Sequence, residues 1–142
     1  MPGALYIKSY IYLISIGYIF DMNINKKLVL IELNEINFDV VQKYLEGNDL
    51  PNWKKIFADG FIETGSEKEY DLLEPWIQWP SVHTGLTAKQ HGLFRLGDVV
   101  GSKTPQIFEL LESNGISVGC VSPMNAENNL KNAAYFIPDL GA

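Results

Sequence analysis

Cysteine and histidine are almost missing from this chain, whose 142 residues include one Cys and two His. One cysteine excludes an internal disulfide. Cys120 lies in the apolar run Ile116 to Val121, where a buried strand cysteine is expected rather than a reactive one. Basic charge is scarce as well: 11 Lys and Arg against 17 Asp and Glu leave a net charge of -6. That balance argues against sequence-independent nucleic-acid binding, which needs clustered cations to neutralise phosphates, and the pairs Lys26-Lys27 and Lys54-Lys55 are too short to reverse it. Internal repeats and low-complexity segments are absent too. With 46% hydrophobic and 20% charged residues the composition is that of a globular protein of about one domain.

Ala4 to Phe20 is apolar apart from Lys8, two serines and the tyrosine hydroxyls, and it approaches the roughly 20 residues that a membrane helix needs. Lys8 interrupts it, Ser9 to Phe20 alone is too short to span, and no small-x-small cleavage site follows. Met22 then opens a compact polar leader ahead of an apolar run. The expectation is that translation begins at Met22, residues 1–21 being an apolar leader before an α/β domain over 22–142, and that the protein is cytoplasmic. A membrane anchor through residues 4–20 and an ordered accessory segment are the alternatives. Asn132 to Asp139 runs on like structured chain, so the domain is expected to be part of a longer one.

Lys27 to Leu33 is a short continuous run of Val, Ile and Leu, the pattern of a strand buried on both faces of a parallel sheet. Phe38, Val41, Tyr44 and Leu45 recur at helical spacing, with Asn37 as N-cap and Gly47 as the stop. Pro51 suits the first turn of a second helix in which Trp53, Ile56 and Phe57 share a face. Phe61 to Ser66 reads as a further strand, and Glu67 to Trp79, acidic and rich in Trp with Pro75 and Pro80 close by, reads as an irregular loop. A short helix is predicted over Ser81 to Thr84, ended by Gly85. A clearer one runs from Thr104 as N-cap, through Pro105 at the first helical position, to Gly115. Ile116 to Val121 follows as a buried strand. Strand, helix and strand in this order predict an α/β fold with a parallel-sheet core and flanking helices.

Three stretches carry a resemblance: Lys27-Leu-Val-Leu-Ile-Glu-Leu-Asn-Glu35, Leu50-Pro-Asn-Trp-Lys-Lys-Ile56, and Glu74-Pro-Trp-Ile-Gln-Trp-Pro-Ser-Val-His-Thr-Gly-Leu-Thr-Ala-Lys-Gln-His-Gly92. Together they resemble the N-terminal part of the alkaline phosphatase superfamily, in its type I phosphodiesterase/nucleotide pyrophosphatase branch. The resemblance implies a metal-dependent phosphoric ester hydrolase fold with Zn or Mn at the carboxyl ends of the strands. In that family the strand ends in a metal-binding Asp; here the matching residue is Asn34, whose neutral carbonyl binds a cation more weakly, with Glu32 and Glu35 nearby as substitutes. The family's Thr or Ser nucleophile lies at the start of a helix, ten residues before the Gly that Gly85 matches, and that place is Pro75. Its phosphate-steadying Asn falls on Leu96, between Arg95 and Asp98.

The catalytic candidates are therefore Glu74, beside Pro75, and Arg95, which can hold an anion bidentately. Trp76, Gln78 and Asp98 are the candidate substrate-binding residues, and Asn34 and Glu32 the candidate metal ligands. Ser81 and Thr84 carry hydroxyls, but on the family pattern they belong to the helix and its packing. Arg95 also fits a solvated loop residue paired with Asp98, His83 a helix residue packed beside Trp76 or Trp79, and His91 a turn-tightening residue. Asn125, Glu127 and Asn128 form a polar loop beyond the strand, a place that suits binding. Three functions fit this pattern. One is a phosphodiesterase-like hydrolase fragment with a diverged site, inactive as the isolated chain. A second is a non-catalytic module binding a small phosphorylated or sugar-containing ligand through Glu32, Asn34, Glu74 and Arg95. The third is a membrane-anchored envelope protein.

Overall fold

The computed structural model describes residues 28–34, 36–47, 49–58, 60 and 65–139. The chain divides into two compact units, Met1–Gly65 and Ser66–Ala142. The apolar segment 4–20 lies outside the described residues, and among the described residues no helix is long and apolar enough to cross a membrane.

In the first unit, α1 (Phe38–Glu46) starts where Asn37 accepts the Val40 amide on its side-chain oxygen at 3.1 Å, and it closes at Gly47. Pro51 opens α2 (Pro51–Ala58), since its missing N–H would have no partner in a first turn anyway. Phe38, Trp53 and Phe57 join the two helices in an aromatic cluster, one pair edge-to-face and two tilted, with ring centroids 5.9–6.3 Å apart. Both helices thus stand where their sequence signals put them. The strand expected over Lys27 to Leu33 is a correction: residues 28–33 lie in no strand, and Val29 and Ile31 are about two-thirds exposed, at 68% and 66%. A continuous apolar run becomes a strand only when a neighbouring strand takes its amides and carbonyls, and no such neighbour is found among the described residues. The strand expected over Phe61 to Ser66 falls largely outside the described residues, at 61–64.

In the second unit, a 3-10 turn (Tyr70–Leu72) leads into α3 (Pro75–Thr84), and α4 (Ala88–His91) follows. The irregular loop expected over Glu67 to Trp79 is present up to Glu74, apart from the 3-10 turn, and is corrected from Pro75 on. Pro75 presets the first helical turn, so α3 begins six residues before the short helix expected from Ser81. Gly85, with φ 70°, ends it in the left-handed conformation that glycine adopts without cost. The next helix, α5 (Ile107–Ser113), starts later than Thr104 because Gln106 is its N-cap: the Gln106 amide donates to the Glu109 carboxylate at 2.6 Å, leaving Pro105 outside the helix.

The strand predicted from Ile116 is shorter, β1 (Gly119–Val121), and it pairs in parallel with β2 (Tyr135–Ile137), Gly119 opposite Tyr135 and Val121 opposite Ile137. Their crossover, residues 122–134, holds no helix and turns instead through positive φ at Ser122 and Asn125. Helices with a small parallel sheet make the chain a mixed α/β protein. One core joins Phe108 of α5 to Val118, Cys120 and Ala126, with Phe136 against it; Cys120 is buried in β1 as expected. Another joins Leu72, Ile77 and Ala88, with Trp76 packed on it.

Candidate functional site

Pro80 sits inside α3 and is almost fully buried. A proline has no N–H, so the carbonyl four residues back, that of Trp76, loses its helical donor. The Asn125 side chain supplies one: its Nδ2 donates to the Trp76 carbonyl at 2.8 Å and to the Arg95 carbonyl at 3.1 Å, while its Oδ1 accepts the Gly97 amide at 3.1 Å. Asn125 itself is held by the Gln106 side-chain amide, which donates to its backbone carbonyl at 3.3 Å. One buried side chain therefore clamps the first turn of α3 to the segment Arg95–Gly97.

Other bonds shape the same corner. Trp76 Nε1–H donates to the Phe94 carbonyl at 3.2 Å. One Asp98 carboxylate oxygen accepts the Phe94 and Arg95 amides, both at 2.9 Å, closing a tight turn over 94–98. Asp98 thus holds Arg95 by its backbone, and the ion pair considered between their side chains is absent. Among the described residues the exposed Arg95 guanidinium has no ion-pair partner. Glu74 is exposed at the N-cap of α3, and its carboxylate makes no capping hydrogen bond.

Glu74, Trp76, Arg95 and Asp98 are thus brought to one corner of the fold. Gln78 is turned elsewhere, donating to the Leu72 carbonyl at 2.6 Å and tying the 3-10 turn to α3. Asn34, exposed, and Glu32, half-buried, belong to the first unit. Among the described residues no cluster of three or more His, Cys, Asp or Glu could hold a metal ion. One carboxylate and one neutral amide fall short of the four donors of a zinc site, so the residues described do not fit the Zn or Mn that the resemblance implies.

The hydroxyls are engaged inside the helix. Thr84 Oγ1 donates to the Pro80 carbonyl at 2.6 Å and accepts the Leu86 amide at 3.2 Å. Ser81 Oγ lies 3.0 Å from His91 Nε2 and 3.4 Å from the Ile77 carbonyl. This pair looks like a nucleophile and its base, but its proton is on the wrong side. His91 Nδ1 accepts the Leu93 amide at 3.0 Å, so the neutral ring carries its proton at Nε2 and donates to Ser81. Burial pushes the His91 pKa down, against the opposing pull of Glu67. His83 packs between the rings of Trp79 (6.2 Å) and Phe108 (5.1 Å). Glu127 accepts the Gly101 amide at 2.9 Å, and Asn128 the Leu130 amide at 3.3 Å. The polar loop singled out in the sequence thus braces the backbone.

The chain matches no known protein family, curated protein or solved structure. Its chemistry is therefore read from the corner itself. Arg95, whose exposed guanidinium has no ion-pair partner among the described residues, is joined through Asn125 to the first turn of a ten-residue helix, and a cation and a helix dipole both attract anions. Among the residues of this corner no free hydroxyl or thiol offers a nucleophile. The clamp by Asn125 was hidden in the sequence. Its one signal was Pro80 standing four residues after Trp76 in a segment read as a loop.

Proposed function

We propose that the chain is a phosphodiesterase-like domain of the alkaline phosphatase superfamily whose catalytic set has diverged, and that it binds a small phosphorylated ligand without hydrolysing it. The observation that carries this reading is that Pro75, the residue matching the family's nucleophile, is the first residue of α3, where a phosphate would meet the helix dipole. The position fits and the nucleophile is gone. Arg95 supplies the cation, held within reach by Asn125 and Asp98. Trp76 offers a half-buried ring for a base or sugar.

Calorimetric titration with inorganic sulfate and with a nucleoside monophosphate tests the reading, alongside hydrolysis of bis(p-nitrophenyl) phosphate with Zn or Mn added. Saturable binding that Arg95→Ala removes, without turnover, is the expected result. Turnover lost in Glu74→Ala would replace binding by catalysis at Glu74. Absence of binding to any anion would overturn the proposal.

A further inference from the structure

His91 ends α4, and Gly92 and Leu93 lead from it into the segment 94–97, which Asp98, Asn125 and Trp76 hold; the Gly92–Leu93 step has fewer anchors of its own. Gly92 (φ 70°) reverses the chain, and buried Leu93 plugs it down. The Leu93 amide has a single acceptor, His91 Nδ1. Hydrogen bonds run in one direction through this ring: Leu93 N–H to Nδ1, then Nε2–H to Ser81 Oγ, and from the Ser81 hydroxyl to the Ile77 carbonyl. A second proton on the imidazole can go only to Nδ1. There it would face the Leu93 N–H at 3.0 Å, donor against donor, in a buried place.

We propose that His91 is a proton-operated latch on the turn that carries Arg95: neutral, it holds Leu93 and the turn closed, and protonated, it releases them. The groups around the ring agree with this. From α3 it meets the uncharged Ser81 hydroxyl and Ile77 carbonyl. The nearby carboxylate, Glu67, is occupied by the Ala88 amide at 2.9 Å, and Lys89 on the same helix is tied to Glu69 at 2.7 Å. Desolvation outweighs the attraction of Glu67, so the latch opens below the ordinary histidine range. Release reaches the site because Phe94, next to Leu93, accepts the Trp76 indole N–H and leads into Arg95. Mild acid would in this way weaken anion binding. That consequence rests on the anion site proposed above; the latch itself does not.

Nitrogen-15 NMR of the whole chain between pH 8 and 5 tests it, with inorganic sulfate as the probe because sulfate does not titrate there. At pH 8 His91 should show the Nε2–H tautomer. As pH falls, the Leu93 amide and the Trp76 indole should shift with the His91 midpoint, below 6.5. Sulfate binding should weaken about tenfold for each pH unit below that midpoint, since only the closed fraction binds. His91→Gln should make both responses flat; should that variant not fold, the wild-type titration decides alone. An Nδ1–H tautomer at pH 8, or a His91 that titrates while Leu93 and Trp76 stay still, would overturn the latch. Leu93 following His91 in a chain that binds no sulfate would uphold the latch and sink the anion site.

Discussion

Replacing Asn125 tests whether one side chain holds the corner together. Its amide makes three hydrogen bonds, to the carbonyls of Trp76 and Arg95 and from the Gly97 amide. At about 1 kcal/mol net for each, their loss in Asn125→Ala costs about 3 kcal/mol. Asn125 also sits at φ 50°, where alanine loses about 1 kcal/mol that asparagine does not. The total of about 4 kcal/mol is a large part of the 5–15 kcal/mol that typically separates folded from unfolded domains. Urea unfolding by circular dichroism measures it, and exchange of the Gly97 amide localises it. Pro80 sharpens the test. In Pro80→Ala the new N–H can serve the Trp76 carbonyl, so Asn125→Ala should cost about 1 kcal/mol less in that background. An Asn125→Ala cost below 1 kcal/mol, or single costs that simply add in the double variant, would refute the account of why α3 tolerates its proline.

Two further outcomes follow from local geometry. Gly85→Ala should lower stability by about 1 kcal/mol through backbone strain alone, because a Cβ there meets no atom within 4 Å at φ 70°; an unchanged melting temperature would show that the end of α3 relaxes freely. Glu112 accepts the Lys131 and Asn132 amides at 2.9 and 2.6 Å, and these bonds hold its carboxyl below the usual 4.5. A folded pKa below the unfolded one means stabilisation that is complete above 4.5 and lost as pH falls through the folded value, so Glu112→Gln should remove that acid-dependent part of the stability curve. Equal acid sensitivity in wild type and variant would contradict it.

Signals that concern a few neighbouring residues were legible from the chain. Asn37, Pro51 and Gly85 mark helix ends in the structure because caps and glycine turns are decided by local sterics and local hydrogen bonds. Cys120 is buried in a strand, as its apolar neighbours implied. Readings that depended on a distant partner fared differently. Leu28 to Leu33 has the composition of a buried strand yet stands exposed, whereas Tyr135–Ile137, not singled out as a strand, pairs with β1. Glu67 to Trp79 looked irregular because Pro75 and Pro80 are helix breakers when counted locally.

The sequence by itself determined the composition, the acidic balance and the absence of an internal disulfide. It determined several helix ends too, since those are settled within one turn. Only the tertiary structure decided that α3 passes through Pro80, because the missing donor is supplied by Asn125 from 49 residues away. It also decided that Asp98 binds the backbone at Arg95 and not its side chain, and that His91 faces Ser81 with a proton already in place. Hydrogen bonds between residues far apart along the chain depend on where the fold brings them, and no spacing along the chain encodes that.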